Sequence, residues 1–333
     1  MTRSTTTRIA IALACALAGR AQTSAPATVY RFVQDWQAFV PQKASEAASD
    51  YRAAICPDGS AYISDGEDRV INVDYHGQIL FDQRNLPDIR SVLAMTCDAG
   101  SRLAAITARP RLINVIQPMS GALVRTSSYA LESALTPRRM VAAGMGYIVL
   151  GADPAGTKPL RLLGQTGNEE IAFGPRPLDD SGSALRAMAR GSIAWDARRQ
   201  HLVFAPESPY HLYSFSPAGQ LLREADVGGA TFQSTITDWA TGMPLPGDAV
   251  QNLALLPSGE VAVEVIRTRP SNSGTLERTQ TVELLDAAFQ VVARIGNPPG
   301  ELQGADDQGN LYFTRSVVGA GVYETRLHIE PQP

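Results

Sequence analysis

Ala53 to Phe81 reads AAICPDGSAYISDGEDRVINVDYHGQILF, and its punctuation decides the fold. A short apolar run ends in the turn Pro57-Asp58-Gly59. An alternating run, a polar loop, the alternating run Arg-Val-Ile-Asn-Val, a second glycine turn and a last apolar stretch follow. Alternation at a period of two marks half-buried strands, and glycine stands where a tight hairpin needs positive φ, so this stretch is an up-and-down sheet of four short strands. The same order recurs in Leu93 to Val124, Arg138 to Gly174, Gly191 to Glu224, Asn252 to Arg294 and Leu302 to Ile329. The turns Asp98-Ala99-Gly100, Pro257-Ser258-Gly259 and Asp307-Gln308-Gly309 repeat the first. With Gly146 and Gln200 in the equivalent places, the turns fall 41, 41, 54, 59 and 50 residues apart. That spacing is the roughly 40 to 50 residues of a propeller blade, lengthened by loop insertions.

Six units of fixed internal order predict an all-β, six-bladed β-propeller of four-stranded antiparallel blades. A generic sandwich would share the short strands and glycine turns without the recurring unit. The ends predict how the ring closes. The last unit supplies three strands, near Gln303, Leu311 to Thr314 and Tyr323 to Ile329, and Thr28 to Val33 is an isolated strand with no unit of its own. Pairing it beside Tyr323 to Ile329 completes the sixth blade and removes a free edge, with Pro41 to Asp50 as the connector into the first blade.

The order in Ile55 to Leu80, with its Asp-x-Gly turn and Arg-Val-Ile-x-Val-Asp strand, resembles the repeats of NHL-type and related six-bladed propellers. The resemblance is good in the first unit, fair in the fourth and sixth and weak in the third and fifth, and it covers nearly all of Thr28 to Ile329. It implies a fold and not a reaction. WD40 repeats are a poorer match, because Trp195-Asp196 ends a first strand, whereas that signature belongs to a third.

Residues 1–21 read as a secretory signal peptide: Arg3 and Arg8 without an acid, an 11-residue apolar run from Ile9 to Gly19, and small residues at Gly19 and Ala21. A lipoprotein anchored at Cys15 fits less well, since leucine stands one place late in Ala12-Leu13-Ala14-Cys15. Residues 22–333 then form a single propeller domain, secreted or periplasmic. Its 44% apolar and 19% charged composition is that of a folded domain, and no window reaches the roughly 20 apolar residues of a membrane-spanning helix. Removing Arg3, Arg8 and Arg20 leaves 26 basic against 33 acidic residues, net −7. That sign disfavours nucleic acid as a partner.

For chemistry, no Gly-x-Ser-x-Gly elbow, Cys-x-x-Cys, His-Glu-x-x-His or Walker loop is present. Propeller lactonases and lyases related by the resemblance hold calcium or zinc at the channel mouth. Here His76 and His201 fall on the opposite face and His328 in the final strand, leaving His211 alone by the mouth, too few for a three-histidine zinc site. Asp65, Asp68, Asp88 and Asn252 could approach the mouth, but no spacing binds them into a calcium set. The suggestive pattern is arginine, with 27 arginines against two lysines, Lys43 and Lys158. Arg90, Arg139 and Arg186 precede innermost strands, and Arg109, Arg111, Arg269 and Arg315 lie in loops between second and third strands. Together they would ring one mouth with fork-shaped donors for carboxylate, sulfate or sugar-acid groups. The long insertion Asp226 to Val250 adds Trp239 as a stacking wall, a partner anchor or a plug. The expected function is a non-catalytic exported propeller, without cofactor or metal, binding a protein or small ligand on its loop face. The alternative is a divalent-metal-dependent ester or lactone hydrolase, or lyase, at the channel mouth. Cys56 and Cys97, 41 residues apart like Gly59 and Gly100, are expected at equivalent positions about 8 to 10 Å apart, too far to bridge, and hence as free thiols.

Overall fold

A computed structural model describes residues 30–41, 51–86, 89–119, 121–144, 146–152, 158–175, 188–229, 232, 246–271, 273, 275–317 and 321–331. The predicted signal peptide, Thr28, Val29, Asp88, Arg186 and Trp239 lie outside them. The strand β1 (Tyr30–Pro41) opens the chain. Blade 1 holds β2 (Arg52–Ile55), β3 (Ala61–Ser64), β4 (Arg69–Val73) and β5 (Ile79–Arg84). Blade 2 holds β6 (Val92–Cys97), β7 (Leu103–Thr107), β8 (Leu112–Met119) and β9 (Ala122–Ala130), and blade 3 holds β10 (Thr136–Ala143), β11 (Gly146–Ala152), β12 (Leu160–Gly164) and β13 (Glu169–Phe173). Blade 4 holds β14 (Ser192–Asp196), β15 (His201–Ala205), β16 (His211–Phe215) and β17 (Leu221–Asp226). Blade 5 holds β18 (Gly247–Leu255), β19 (Val261–Pro270), β20 (Leu276–Leu285) and β21 (Val291–Gly296). Blade 6 takes β22 (Glu301–Ala305), β23 (Leu311–Val317) and β24 (Gly321–Pro331) from the end of the chain.

Each blade is an antiparallel four-stranded sheet in sequence order, except the sixth, whose order is β1-β24-β23-β22. The chain is therefore the six-bladed propeller that its repeats predict, closed by an N-terminal strand. That strand is longer than the sequence suggests: pairing runs from Tyr30 with Pro331 to Pro41 with Gly321, around a bulge at Asp35. Arg69 fixes its far end, donating to the Pro41 carbonyl at 2.8 Å while forking onto both oxygens of Asp82 at 2.7 Å.

The core is divided among the blade-to-blade contacts. Ala54, Cys56 and Tyr62 of blade 1 face Met95, Cys97 and Leu103 of blade 2, and Ile63, Ile71 and Val73 of blade 1 face Ala38, Val40 and Val322 of blade 6. Middle strands, packed on both faces, are buried throughout, as in β4 and β7, whereas outer strands such as β17 are largely exposed. Glu324 is buried on β24, and neither of its carboxyl oxygens has a hydrogen-bond partner among the described residues. Burial raises its pKa well above the ordinary carboxyl value of 4.5, favouring the neutral form.

The cysteines overturn the free-thiol expectation: Cys56 and Cys97 form a disulfide with Cα atoms 5.0 Å apart. The cause is a register offset of one residue. The first-blade turn closes with Gly59 N donating to Cys56 O, whereas the second closes with Ser101 N donating to Asp98 O. Asp98 is thus the equivalent of Cys56, and Ser101, at φ 56°, takes the left-handed place assigned to Gly100. Equivalent residues point the same way around the ring and cannot meet. A shift of one position turns the Cys97 side chain to the opposite sheet face, towards Cys56.

Candidate functional site: the channel mouth

The six inner strands surround a central channel of about 940 Å³. Each enters at the face carrying the loops between second and third strands and leaves at the face carrying the first hairpin turns. The two ends differ in charge. Arg52, Arg138, Arg139, Arg190 and Glu301 line the entry end, and Asp98, Asp196, Asp306 and Asp307, with Arg198, line the exit.

Backbone irregularity places the entry side chains. The inner strands of blades 2, 3, 5 and 6 carry a register shift, in blade 3 between Pro137 and Arg139 and in blade 5 between Val250 and Asn252. A bulge sets an extra residue on the strand and re-aims its neighbours, and here both Arg138 and Arg139 line the channel. Arg139 then reaches past blade 4 to blade 5, where it donates to Asn252 Oδ1 and lies 3.5 Å from the Gln251 carbonyl oxygen. Behind it, Asn252 Nδ2 donates to Glu264 Oε2 at 3.0 Å. The same oxygen accepts from Leu302 N of blade 6 at 3.0 Å, and Gln280 Nε2 donates to Glu264 Oε1. Because the Asn252 amide gives its N–H to the carboxylate, its carbonyl oxygen faces the guanidinium.

The electrostatics of this chain are set by burial. Desolvation lowers the Arg139 pKa and the charge on Arg52 lowers it further, opposed by Glu264 and Glu301. Burial raises the Glu264 pKa to about 7; Glu301 adds to the rise, and hydrogen bonds from Asn252, Leu302 N and Gln280 oppose it. Arg52 donates from Nε to the Val92 carbonyl at 3.0 Å, and Arg190 lies 4.0 Å from Glu207.

Of the arginines singled out in the sequence, Arg139 lines the channel. Arg90 and Arg109 are exposed. Arg111 donates to the Leu135 carbonyl between blades 2 and 3, Arg269 pairs with buried Asp248 at 2.6 Å, and exposed Arg315 lies 5.7 Å from the Tyr323 ring centroid. The structure brings Arg139 together with Arg52, Arg138 and Arg190, which sequence reasoning passed over. The signal available was their position: Arg52 opens an inner strand, Arg190 closely precedes one, and Arg138 lies near the start of one. The calcium candidates among the described residues, Asp65, Asp68 and Asn252, are each committed elsewhere. Asp65 Oδ1 accepts from Glu67 N and Arg69 N, Asp68 lies 3.8 Å from Arg84, and Asn252 is committed to Glu264 and Arg139. These residues do not fit a divalent ion, and no group of three or more His, Cys, Asp and Glu among the described residues could hold one.

No protein-family model matches the chain, and no curated protein matches it in sequence. Among solved structures it is similar to a member of the DUF4221 family from Bacteroides vulgatus (TM-score 0.59, 9% identity, covering 92% of this chain and all of that one). It is also similar to virginiamycin B lyase from Staphylococcus aureus (TM-score 0.51, 10% identity, 90% and 99% covered) and to a gluconolactonase from Xanthomonas campestris (TM-score 0.50, 14% identity, 92% and 99% covered). At such identities the similarity shows the fold alone: a six-bladed propeller with neighbours in several propeller families. No helix among the described residues is long and apolar enough to cross a membrane.

Proposed function

We propose that this protein is an exported, non-catalytic binding propeller whose channel mouth takes the anionic end of a small-molecule ligand. The observation that carries the reading is the convergence of Arg52, Arg138, Arg139 and Arg190 on one end of one channel, against a single lining carboxylate there among the described residues, Glu301. The Arg139 guanidinium is desolvated and repelled by Arg52, so an anion bridging the two relieves a repulsion already present in the fold. Guanidinium forks match the geometry of carboxylate and sulfate. The Cys56–Cys97 bond supports an oxidising, extracytoplasmic setting.

Calorimetric titration with glucuronate and with sulfate tests the reading. Replacing Arg52 and Arg139 together by glutamine, which keeps a hydrogen-bond donor at each place, should weaken binding of either anion at least tenfold while moving Tm by a few degrees at most. Arg90→Ala, outside the channel lining, should leave affinity unchanged. Equal affinity in the double variant and the native protein would remove the site.

A further inference from the structure

The walls below the arginines are apolar. Ile55, Val141, Trp195, Leu255 and Ala305, from five different blades, are half-buried and line the same channel between its charged ends. Met95 of blade 2 completes the belt, 8% exposed. At the exit, Asp98, Asp196 and Asp306 line the channel, all three held in place by their own turns. The order down the axis is therefore cationic, apolar and, at the exit, ion-paired, with Asp98 on Arg102 at 2.6 Å and Asp196 on Arg199 at 2.7 Å.

We propose that the ligand is a carboxylate bearing an apolar tail, an aliphatic or arylalkyl acid, with its head at Arg52 and Arg139 and its tail along Ile55, Val141 and Trp195. This inference rests on the anion-binding reading above and adds the chemistry of the rest of the ligand. A volume of 940 Å³ lies in the range of small-molecule pockets, roughly 300 to 1,000 Å³. From Arg52 to Cys56 the strand rises four residues, about 13 Å. Beyond the head-group contact, that leaves room for a chain of roughly eight carbons, each extended bond advancing by less than its length of about 1.5 Å. At the exit Asp98 and Asp196 are paired with Arg102 and Arg199, so the excess of cations lies at the entry and sets the end at which the head binds. A hydrophilic sugar acid would leave its hydroxyls against Ile55 and Leu255 without partners, whereas an alkyl chain gains by leaving water.

The test is a chain-length series, acetate, butanoate, hexanoate and octanoate, titrated into the whole protein at pH 6.5 with glucuronate and sulfate as untailed anions. The expected result is one site whose affinity rises by about fourfold per methylene from butanoate to octanoate, lost in the Arg52→Gln, Arg139→Gln double variant. Trp195→Ala should weaken octanoate about tenfold and leave glucuronate within roughly twofold. Should that variant not fold, Ile55→Ala should give the same split at about threefold. Affinity independent of chain length, with glucuronate and sulfate still bound, would overturn the tail while the anion reading stands. Failure of every anion to bind would overturn both. Octanoate bound equally well by the double variant would place the tail elsewhere and overturn the inference.

Discussion

The two ends of the channel are built by different rules. At the exit, Asp98, Asp196 and Asp306 occupy recurring turns, and the Oδ1 of each accepts backbone N–H groups of its own turn: Gly100 and Arg102, Arg198 and Arg199, Gln308 and Asn310. Such carboxylates stand in for a backbone acceptor and belong to the scaffold. At the entry, the arginines lie near the starts of three inner strands but share no repeated partner. Arg139 crosses from blade 3 to blade 5 and Arg52 from blade 1 to blade 2, positions set by bulges and reach. Substitutions at the exit should therefore act on stability, and substitutions at the entry on binding.

The largest break in that contrast is expected at the disulfide, which closes a separation of 41 residues at the exit. Replacing Cys56 and Cys97 by serine releases a loop whose closure entropy is about 4 kcal/mol on the chain-entropy model. Urea unfolding should record a loss of that order, with glucuronate affinity within twofold of native. A large loss of affinity at unchanged stability would reverse the assignment of the two ends.

Asp306→Ala comes next. Its carboxylate accepts from Gln308 N, Asn310 N and, at 2.7 Å, Asn310 Nδ2. The Tyr312 hydroxyl lies 3.0 Å from Asp306 Oδ2 and 2.8 Å from the Gly59 carbonyl oxygen of blade 1. Removing the acceptor leaves the buried Asn310 backbone N–H and side-chain amide without this partner, at a cost of about 2 to 4 kcal/mol. Chemical denaturation measures it; a loss below about 0.5 kcal/mol, the range of ordinary surface substitutions, would mean that these aspartates are not scaffold.

The same contrast explains what could be read in the sequence. Exit turns are local, so Asp58-Gly59, Asp98 and Asp307-Gln308-Gly309 announce the blades and their number. The register of blade 2 was hidden because Gly100 sits beside Ser101, the residue that takes positive φ, and that one place decided the disulfide. The entry was legible in part. The sequence places Arg139 before an inner strand and the structure places it within one, β10, but its partner Asn252 lies 113 residues away, a contact made by closure of the ring. Glu264 carried no signal at all: buried in an alternating strand, it becomes a candidate once Asn252, Gln280 and Leu302 are seen to converge on it.

The smallest expected effect probes that convergence through pH. The folded Glu264 has a pKa of about 7, raised chiefly by burial from an ordinary 4.5. The folded state thus holds its proton more tightly than the unfolded chain. The stability this group contributes is present below about pH 4.5 and is lost as pH rises towards 7. Binding follows the same direction for a separate reason. Ionised Glu264 attracts Arg139 and competes with an incoming anion for the guanidinium, so affinity should fall on passing from pH 6 to pH 8. The change is on the order of threefold, one charge acting through partly screened protein. Glu264→Gln keeps a neutral side chain at every pH. It should bind glucuronate at pH 8 as the native protein does at pH 6, with its own profile flat between them. Calorimetry at the two pH values separates the cases. A native profile already flat, or a variant that keeps the full dependence, would show that the entry arginines act without Glu264 behind them.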